Sequence, residues 1–208
     1  MNILIFGASG GTGINLINQS LKCGHHVTAF VRNPGKISIK DKNLSIIKGD
    51  ALIRKDVEGA IKGQDIVISL LGNKTSDALW RSNTIISDGV SNIISGMKIG
   101  KVKRLIFIAS FGVNQQIFLP EKLVIKTVLR NLFADIPRQE EMIKKSGLSW
   151  TLIHPARLVD GPKTGKYRSS QDLSIGLFSK ISRADVAGYI LKVINDDGLV
   201  GKTVTISS

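Results

Sequence analysis

Glycine recurs at every third position in the segment FGASGGTG, at residues 7, 10 and 13, directly after the apolar run Ile3-Leu4-Ile5. Such a run predicts a buried strand, and the segment from Thr12 to Lys22 continues as a predicted helix. A strand, a turn without side chains and a helix in this order are typical of sites where helix N–H groups bind a nucleotide pyrophosphate. A glycine-rich turn without a ligand is the alternative, but the context favours a dinucleotide site.

Each of the three glycines has its own role in a site of this kind. Gly7 permits the tight turn, Gly10 lets the backbone approach the pyrophosphate, and Gly13 allows the helix to lie close to the strand. Ser9 and Thr12 add hydroxyl donors. The spacing differs from the G-x-G-x-x-G form, so the prediction depends on the strand and the helix on either side.

The rest of the chain alternates short apolar runs with longer segments of helical period. Strands are predicted at Ile3–Phe6, His26–Val31, Leu44–Ile47, Ile66–Leu70, Leu105–Ala109, Trp150–Ile153 and Val204–Ile206. A helix is predicted where apolar residues recur at helical spacing, at Ile85, Ile86, Val90, Ile93, Ile94 and Met97. This alternation indicates parallel strands joined by right-handed crossovers. We therefore expect an α/β fold: a single Rossmann-type doubly wound parallel sheet with helices on both faces, over residues 1–208, whose part from about residue 110 onward contributes the substrate cleft.

The end of the second predicted strand indicates which dinucleotide is bound. An acidic residue there holds the ribose 2′-hydroxyl of NAD, whereas a basic residue accommodates the 2′-phosphate of NADP. The chain has FVRNPGK at this point, with Arg32 in place, Lys36 close behind and no Asp or Glu between Gly24 and Lys40. NADP, as NADPH, is therefore favoured over NAD, the alternative being that Arg32 simply faces water.

Two further turns follow predicted strands. In KGDALI, Asp50 and Ala51 come just after the third strand, where a carboxylate can accept from the adenine amino group. Asp50 can equally cap a helix that begins near Arg54. In SLLGN, Gly72 lets the chain pass beside the nicotinamide ribose, unless it is an ordinary loop glycine.

The net charge of +13 favours anionic ligands. The cations are spread along the chain without a basic arm or interleaved aromatic residues, so a nucleic-acid partner is disfavoured. No apolar stretch is long enough to cross a bilayer, and we expect no membrane partner. The single cysteine, Cys23, suits a reducing compartment, which favours a cytoplasmic protein.

Several motifs together resemble the atypical short-chain dehydrogenase/reductase family, in particular the NmrA-like NAD(P)H-binding proteins and the biliverdin reductase B/flavin reductase group. The resemblance covers nearly the whole chain and depends on GASGGTG, VRNP, GQDIVISLLG, RLIFIAS, SGLSWTLIHPARLVDGPKTGKYR and ISRADVA. It implies that Pro155 and Ala156 lie beside the nicotinamide carboxamide. The other cofactor-contacting positions that it implies are Gly7, Ser9, Gly10, Gly11, Thr12, Gly13, Arg32, Asp50, Ala51, Leu70, Leu71, Gly72 and Ser110.

Ordinary members of the wider superfamily reduce carbonyls with a Ser–Tyr–Lys set, in which the lysine follows the tyrosine by four residues. Here Tyr167 and Tyr189 are followed four residues later by Gln171 and Val193, so that set is absent. Ser110 matches the serine position, but a serine alone is a poor acid at neutral pH. An acceptor that delocalises the incoming charge, such as a flavin or a quinone, asks the protein mainly for orientation.

The residue before Pro155 is His154, whose type suits acid–base chemistry near neutral pH. Ser110 and His154 are thus the candidate catalytic residues, with a structural histidine in a turn at the strand end as the alternative for His154. No metal site is expected. In ISRADVA we predict Ser182 as a helix cap with Asp185 in the first turn, and we interpret Arg183 as structural.

An apolar helix predicted between Asn114 and Pro137 could cover the cleft, form a subunit contact in a homodimer, touch a membrane or pack on the sheet. Packing is favoured. Two hypotheses for function follow from these motifs: an NADPH-dependent reductase of a small conjugated acceptor, or a non-catalytic NADP(H)-sensing regulator of NmrA type. Epimerase chemistry is disfavoured because the tyrosine is absent.

Overall fold

A computed structural model describes residues 1–72, 84–109, 136–176 and 178–208 of the chain. Ser110, Phe111 and most of the apolar helix predicted between Asn114 and Pro137 lie outside the described residues.

The strands and helices alternate along the described chain. The strands are β1 (Asn2–Phe6), β2 (His26–Val31), β3 (Leu44–Lys48), β4 (Ile66–Ser69), β5 (Arg104–Ile108), β6 (Ser149–Pro155), β7 (Arg157–Val159), β8 (Arg168–Ser170), β9 (Lys180–Ser182) and β10 (Lys202–Ser207). The helices are α1 (Gly11–Lys22), α2 (Arg54–Ile61), α3 (Thr84–Ile99), α4 (Ile136–Lys144) and α5 (Arg183–Ile194), with 3-10 turns at Pro34–Lys36 and Asp197–Leu199.

Eight of these strands form one sheet in the order β3-β2-β1-β4-β5-β6-β10-β8, and β7 pairs with β9 beside it. All neighbours in the large sheet are parallel except β8, which runs antiparallel to β10 at the edge. The chain moves outward from β1 to β3 and then returns to place β4 on the other side of β1. The order of strands therefore reverses between β1 and β4, which is where ligands bind in open sheets of this type.

Alternate residues of each strand face opposite sides of the sheet, and a hydrophobic core lies on each side. Ile3 and Ile5 of β1 belong to a core with residues of α1 and α5, including Leu16, Val186 and Ile190. Leu4 and Phe6 belong to a second core with residues of α2, α3 and α4, including Val57, Ile93 and Ile143. Burial on both faces explains why the strands are almost continuously apolar.

The predicted fold class is confirmed, and each of the seven predicted strands is present with ends shifted by at most two residues. The short strands β7, β8 and β9 have no apolar run of their own and were not predicted. Helix α5 begins as predicted, since the Ser182 side chain accepts a hydrogen bond from the N–H of Asp185 at the N-cap.

Candidate functional site

The predicted cofactor residues follow the carboxyl ends of adjacent strands. Phe6 pairs with Phe30 on one side and with Ser69 on the other, so β1, β2 and β4 end together. The chain continues beyond these strands and their neighbours into the turns that contain Asp50, Arg32, Gly7, Leu70 and Ala156, in the spatial order β3, β2, β1, β4 and β6. With strands about 4.8 Å apart, these turns form a row about 24 Å long at one edge of the sheet.

Two of the three glycines are required by the packing of the protein itself. Gly7 has a φ of +74°, and a Cβ there would lie 2.5 Å from the carbonyl oxygen of Leu70. A Cβ on Gly13 would overlap the backbone of Ala8. Gly7 thus lets β1 pass the end of β4, and Gly13 lets α1 lie close to the turn that follows β1, where the sequence predicted a close approach to the strand itself.

Gly10 is different, because the protein leaves room for a side chain there. Its backbone is extended (φ −77°, ψ 163°), and the nearest atom to a Cβ at this position is the carbonyl oxygen of Gly7 at 3.4 Å. Gly10 and Gly11 are both exposed. The packing of the protein does not require glycine at position 10. Glycine there fits a ligand that lies against the backbone of the turn.

The N-terminus of α1 is open at this point. Gly10 is the N-cap and provides no side-chain cap, and the first turn contains no acidic residue. Among the described residues, none accepts a hydrogen bond from the N–H groups of Gly11, Thr12 or Gly13. Ser9 is partly exposed beside these groups and Thr12 is buried. The helix dipole and the free N–H groups make this a place where a phosphate group is stabilised.

Arg32 directly follows β2 and is exposed, as is Lys36 in the 3-10 turn after it. Neither side chain forms an ion pair with a described residue. Asn33 caps the 3-10 turn by accepting a hydrogen bond from the N–H of Gly35. The turn therefore holds two cations, one strand away from the glycines, that are unpaired within the described part of the chain.

Asp50 does not cap helix α2, whose N-cap is Ile53 without a side-chain hydrogen bond. One of its carboxylate oxygens instead accepts a hydrogen bond from the N–H of Leu52 at 3.0 Å, which fixes the turn after β3. Ala51 is buried, and its carbonyl accepts from the side chain of Asn92 at 2.9 Å. The cap interpretation is wrong, while the adenine contact stays a prediction.

The residues predicted near the nicotinamide lie at the ends of β4 and β6. The N–H of Leu70 donates to the carbonyl of Phe6 at 3.0 Å, Leu71 packs against the core that includes α3, and Gly72 is exposed with open space around it. Pro155 and Ala156 are buried where β6 ends. Ser110, the candidate serine, is outside the described part of the chain.

His154 lies inside β6 and not in a turn after it. Its side chain is 3% exposed, and Nε2 lies 2.9 Å from Oε1 of Glu140, whose side chain is 4% exposed, without the alignment of a hydrogen bond. Burial raises the pKa of the Glu140 carboxyl, but the contacts with His154 and Lys144 outweigh burial and hold that pKa below its usual value. The catalytic role of His154 stays a prediction, and this buried pairing supports the structural alternative.

Arg183 was interpreted from sequence as structural, and the structure places it beside the glycine turn. Its Cδ lies 2.6 Å, and its Nε 3.0 Å, from the point that a Cβ on Gly11 would occupy. Nη1 donates to Oδ1 of Asp160 at 2.7 Å. The signal in the sequence was a cation at the first position of a helix, where the helix dipole disfavours positive charge.

Asp185 ties the loop after β7 to the start of α5. Its carboxylate accepts hydrogen bonds from the N–H of Thr164 (2.8 Å), the N–H of Gly165 (2.7 Å) and the hydroxyls of Thr164 and Ser182. Burial raises the pKa of Asp185, but these hydrogen bonds outweigh burial and hold the pKa below its ordinary value.

A doubly wound sheet with an open helix N-terminus at its reversal point defines a dinucleotide-binding Rossmann domain. The chain belongs to the NAD(P)H-binding family, whose model matches residues 7–197. The resemblance found in its motifs is thereby confirmed at the level of this family, and closeness to biliverdin reductase B stays a prediction.

Several known proteins are similar to this chain. An uncharacterized chloroplastic protein of Arabidopsis thaliana is 28% identical over 78% of this chain, which spans 61% of that protein's length. A Rossmann-fold NAD(P)-binding family protein from Shigella flexneri is 29% identical with a TM-score of 0.74, covering 99% of this chain and 92% of that one. ChuY, an anaerobilin reductase from Escherichia coli, is 21% identical with a TM-score of 0.77, covering 99% and 96%, and so supports the fold alone.

None of the described helices is long and apolar enough to cross a membrane. Within the same residues, no group of three or more His, Cys, Asp and Glu side chains could hold a metal ion. Cytoplasmic location stays a prediction.

Proposed function

We propose that this protein is an NADPH-dependent reductase that transfers a hydride to a flavin, a quinone or a similar small conjugated acceptor. The observation that carries the proposal is the uncapped N-terminus of α1 behind Gly10, where the protein leaves room for a side chain. The fold requires glycine at positions 7 and 13 but not at position 10, which fits a ligand that approaches the turn there. Membership of the NAD(P)H-binding family supports a dinucleotide as that ligand.

The residues at the carboxyl edge fit each part of NADPH by their chemistry. The N–H groups of residues 11–13 would bind the pyrophosphate, and Arg32 with Lys36 would bind the 2′-phosphate. Asp50 and Ala51 would border the adenine, since the second carboxylate oxygen of Asp50 has no partner among the described residues. The segment Leu70–Gly72 with Pro155 and Ala156 would border the nicotinamide half. The preference for NADPH over NADH depends on the two cations.

The positions of the tyrosines support an acceptor that needs no proton donor from the protein. The chain has two tyrosines, Tyr167 and Tyr189. Their rings pack edge to face at 5.6 Å beside β8 and α5, and Lys192 lies over the Tyr167 ring. Strand β8 is four strands from β4 and two strands from β6. Neither tyrosine is followed four residues later by a lysine, so the sequence lacks the proton-donating pair of the wider superfamily.

This arrangement restricts the chemistry. Bound NADPH supplies a hydride, and a ketone that receives it needs a proton in step because an alkoxide forms. A flavin or quinone spreads the charge over a conjugated system, so water can supply the proton afterwards. The protein then has to bind the acceptor and orient it. A small-molecule acceptor is the proposed partner, and neither a membrane nor a nucleic acid is.

NADPH oxidation measured by absorbance with riboflavin, FMN and menadione as acceptors tests the proposal. We expect the wild-type protein to accelerate oxidation by at least one acceptor well above the rate without protein. The Gly10→Ala variant is the matched control, because it should fold and bind the cofactor more than tenfold more weakly. Saturable NADPH binding with no acceleration across the panel would overturn the reductase and favour an NADP(H)-sensing regulator.

A further inference from the structure

The side chain of Arg183 lies where two sources of positive potential meet, the N-termini of α1 and α5. Arg183 is the first residue of α5, and its side chain covers Gly11, the first residue of α1. The dipole of each helix disfavours a cation at its N-terminus. The site is therefore electrostatically unfavourable for an arginine in the free protein and favourable for an anion.

One carboxylate compensates for this charge. Nη1 of Arg183 donates to Oδ1 of Asp160 at 2.7 Å, and the side chains are 28% and 92% exposed. A pair in which one partner is so exposed is weak, on the order of 0.2–1 kcal/mol. Asp160 can thus be replaced as the partner of Arg183 by a more strongly held anion.

The loop that contains Asp160 is anchored independently of this pair. Asp185 holds the N–H groups of Thr164 and Gly165, and the Ser182 hydroxyl lies 3.1 Å from the carbonyl of Pro162. Release of Asp160 would therefore leave the loop in place. Because the loop has these other anchors, anchoring the loop does not explain why the Arg183 side chain lies over Gly11.

We propose that Arg183 is a cofactor-binding residue that exchanges Asp160 for the pyrophosphate of the dinucleotide. The proposal rests on the cofactor binding of the proposed function and adds a residue to it. Arg183 would supply a cation for the pyrophosphate, as Arg32 does for the 2′-phosphate. Asp160 acts in the free protein as an internal competitor that occupies the guanidinium until the cofactor binds.

Calorimetric titration of two variants with ADP-ribose tests this exchange, because the variants should change the affinity in opposite directions. ADP-ribose carries the pyrophosphate but neither the nicotinamide nor the 2′-phosphate. Arg183→Gln should weaken ADP-ribose binding about tenfold, the size of one charge-assisted contact. Asp160→Asn should strengthen it about twofold to fivefold, because the competing carboxylate is gone. If Arg183 only pinned the loop, both variants would shift the affinity in the same direction or not at all, and the proposal would be overturned.

Charge-matched controls come from the exposed pair Glu141–Lys145 on the far side of the sheet. Lys145→Gln and Glu141→Gln change the net charge as the two test variants do and should leave ADP-ribose binding within twofold. Arg183→Lys keeps the charge and should retain part of the affinity, which guards against a glutamine variant that misfolds. Melting temperatures of all variants establish folding.

A second ligand separates the two phosphate sites. Adenosine 2′-monophosphate lacks the pyrophosphate, so Arg183→Gln should leave its affinity unchanged while Arg32→Gln weakens it. Equal effects of Arg183→Gln on both ligands would contradict a pyrophosphate contact. If the wild-type protein binds NADPH and ADP-ribose, but Arg183→Gln and Asp160→Asn change the affinity for ADP-ribose in the same direction, only this inference fails. If it binds neither ligand, the proposed function fails as well.

Discussion

A Cβ on Gly7 would lie 2.5 Å from the carbonyl oxygen of Leu70, so the turn after β1 and the end of β4 fit together only without a side chain. Gly10, three residues later, has no such contact, since its nearest neighbour would be 3.4 Å away. The same motif therefore contains glycines with different physical causes. Packing inside the protein explains Gly7 and Gly13 but not Gly10, for which we propose a bound ligand as the cause.

Alanine substitutions separate these causes. Gly13→Ala should lower the free energy of unfolding by about 2–3 kcal/mol, because the new Cβ overlaps backbone that cannot move cheaply. Gly10→Ala should cost at most about 1 kcal/mol, the usual price of alanine at an N-cap, and should weaken NADPH binding more than tenfold. Urea unfolding and calorimetry measure the two quantities. Equal losses of stability, with binding intact in Gly10→Ala, would contradict this division.

Arg32 is expected to set the cofactor preference. Arg32→Glu should weaken NADPH binding by about 1.5–3 kcal/mol if the guanidinium bonds the 2′-phosphate, and by less if solvent screens it. NADH binding should change far less, because NADH has no phosphate at that position. Arg138→Glu, at an exposed position of α4, is the control for the change in net charge. Equal losses for both cofactors would remove the basis for preferring NADPH.

Asp185 should make the protein sensitive to acid. Its pKa is lower in the folded than in the unfolded protein, so the carboxylate contributes stability above its unfolded pKa of about 4 and loses it as pH falls through the folded value. Asp185→Asn should be about 1–3 kcal/mol less stable at pH 7, because asparagine offers one acceptor oxygen where the carboxylate offers two for its four hydrogen bonds. Its stability should also fall less steeply below pH 4. If the free energies of unfolding of the variant and the wild type fell in parallel below pH 4, the pKa of Asp185 would not differ between the folded and unfolded states.

The buried pair of His154 and Glu140 should contribute to stability and not to cofactor binding. His154→Leu leaves Glu140 buried with Lys144 as its remaining partner, and should cost about 3 kcal/mol. The double variant His154→Leu/Glu140→Leu should recover part of that loss, because no buried carboxylate is left. NADPH affinity should stay within twofold of wild type in both. A single variant of normal stability that loses turnover would instead make His154 catalytic.

The sequence predicted the elements whose cause is local. Continuous apolar runs identified seven of the eight strands of the large sheet, and the spacing of Gly7, Gly10 and Gly13 identified the turn. The Ser182 cap was predicted because its partner is three residues away.

Contacts between distant segments were not predictable. The side chains of Arg183 and Asp160 meet across 23 residues, and Arg183 reaches Gly11 from the far end of the chain. Glu140 was not singled out because nothing near it in sequence indicates a buried histidine partner. Strands β7 and β9 pair outside the large sheet and lack an apolar run, so no periodicity marked them.

Calorimetric titration of the wild-type protein with NADPH tests the central claim, that the uncapped N-terminus of α1 and the bare backbone at Gly10 bind a dinucleotide. We predict saturable binding of one NADPH per chain with a dissociation constant below about 1 mM, reduced more than tenfold in Gly10→Ala. No saturable heat up to millimolar NADPH, or equal affinity in the two proteins, would contradict it.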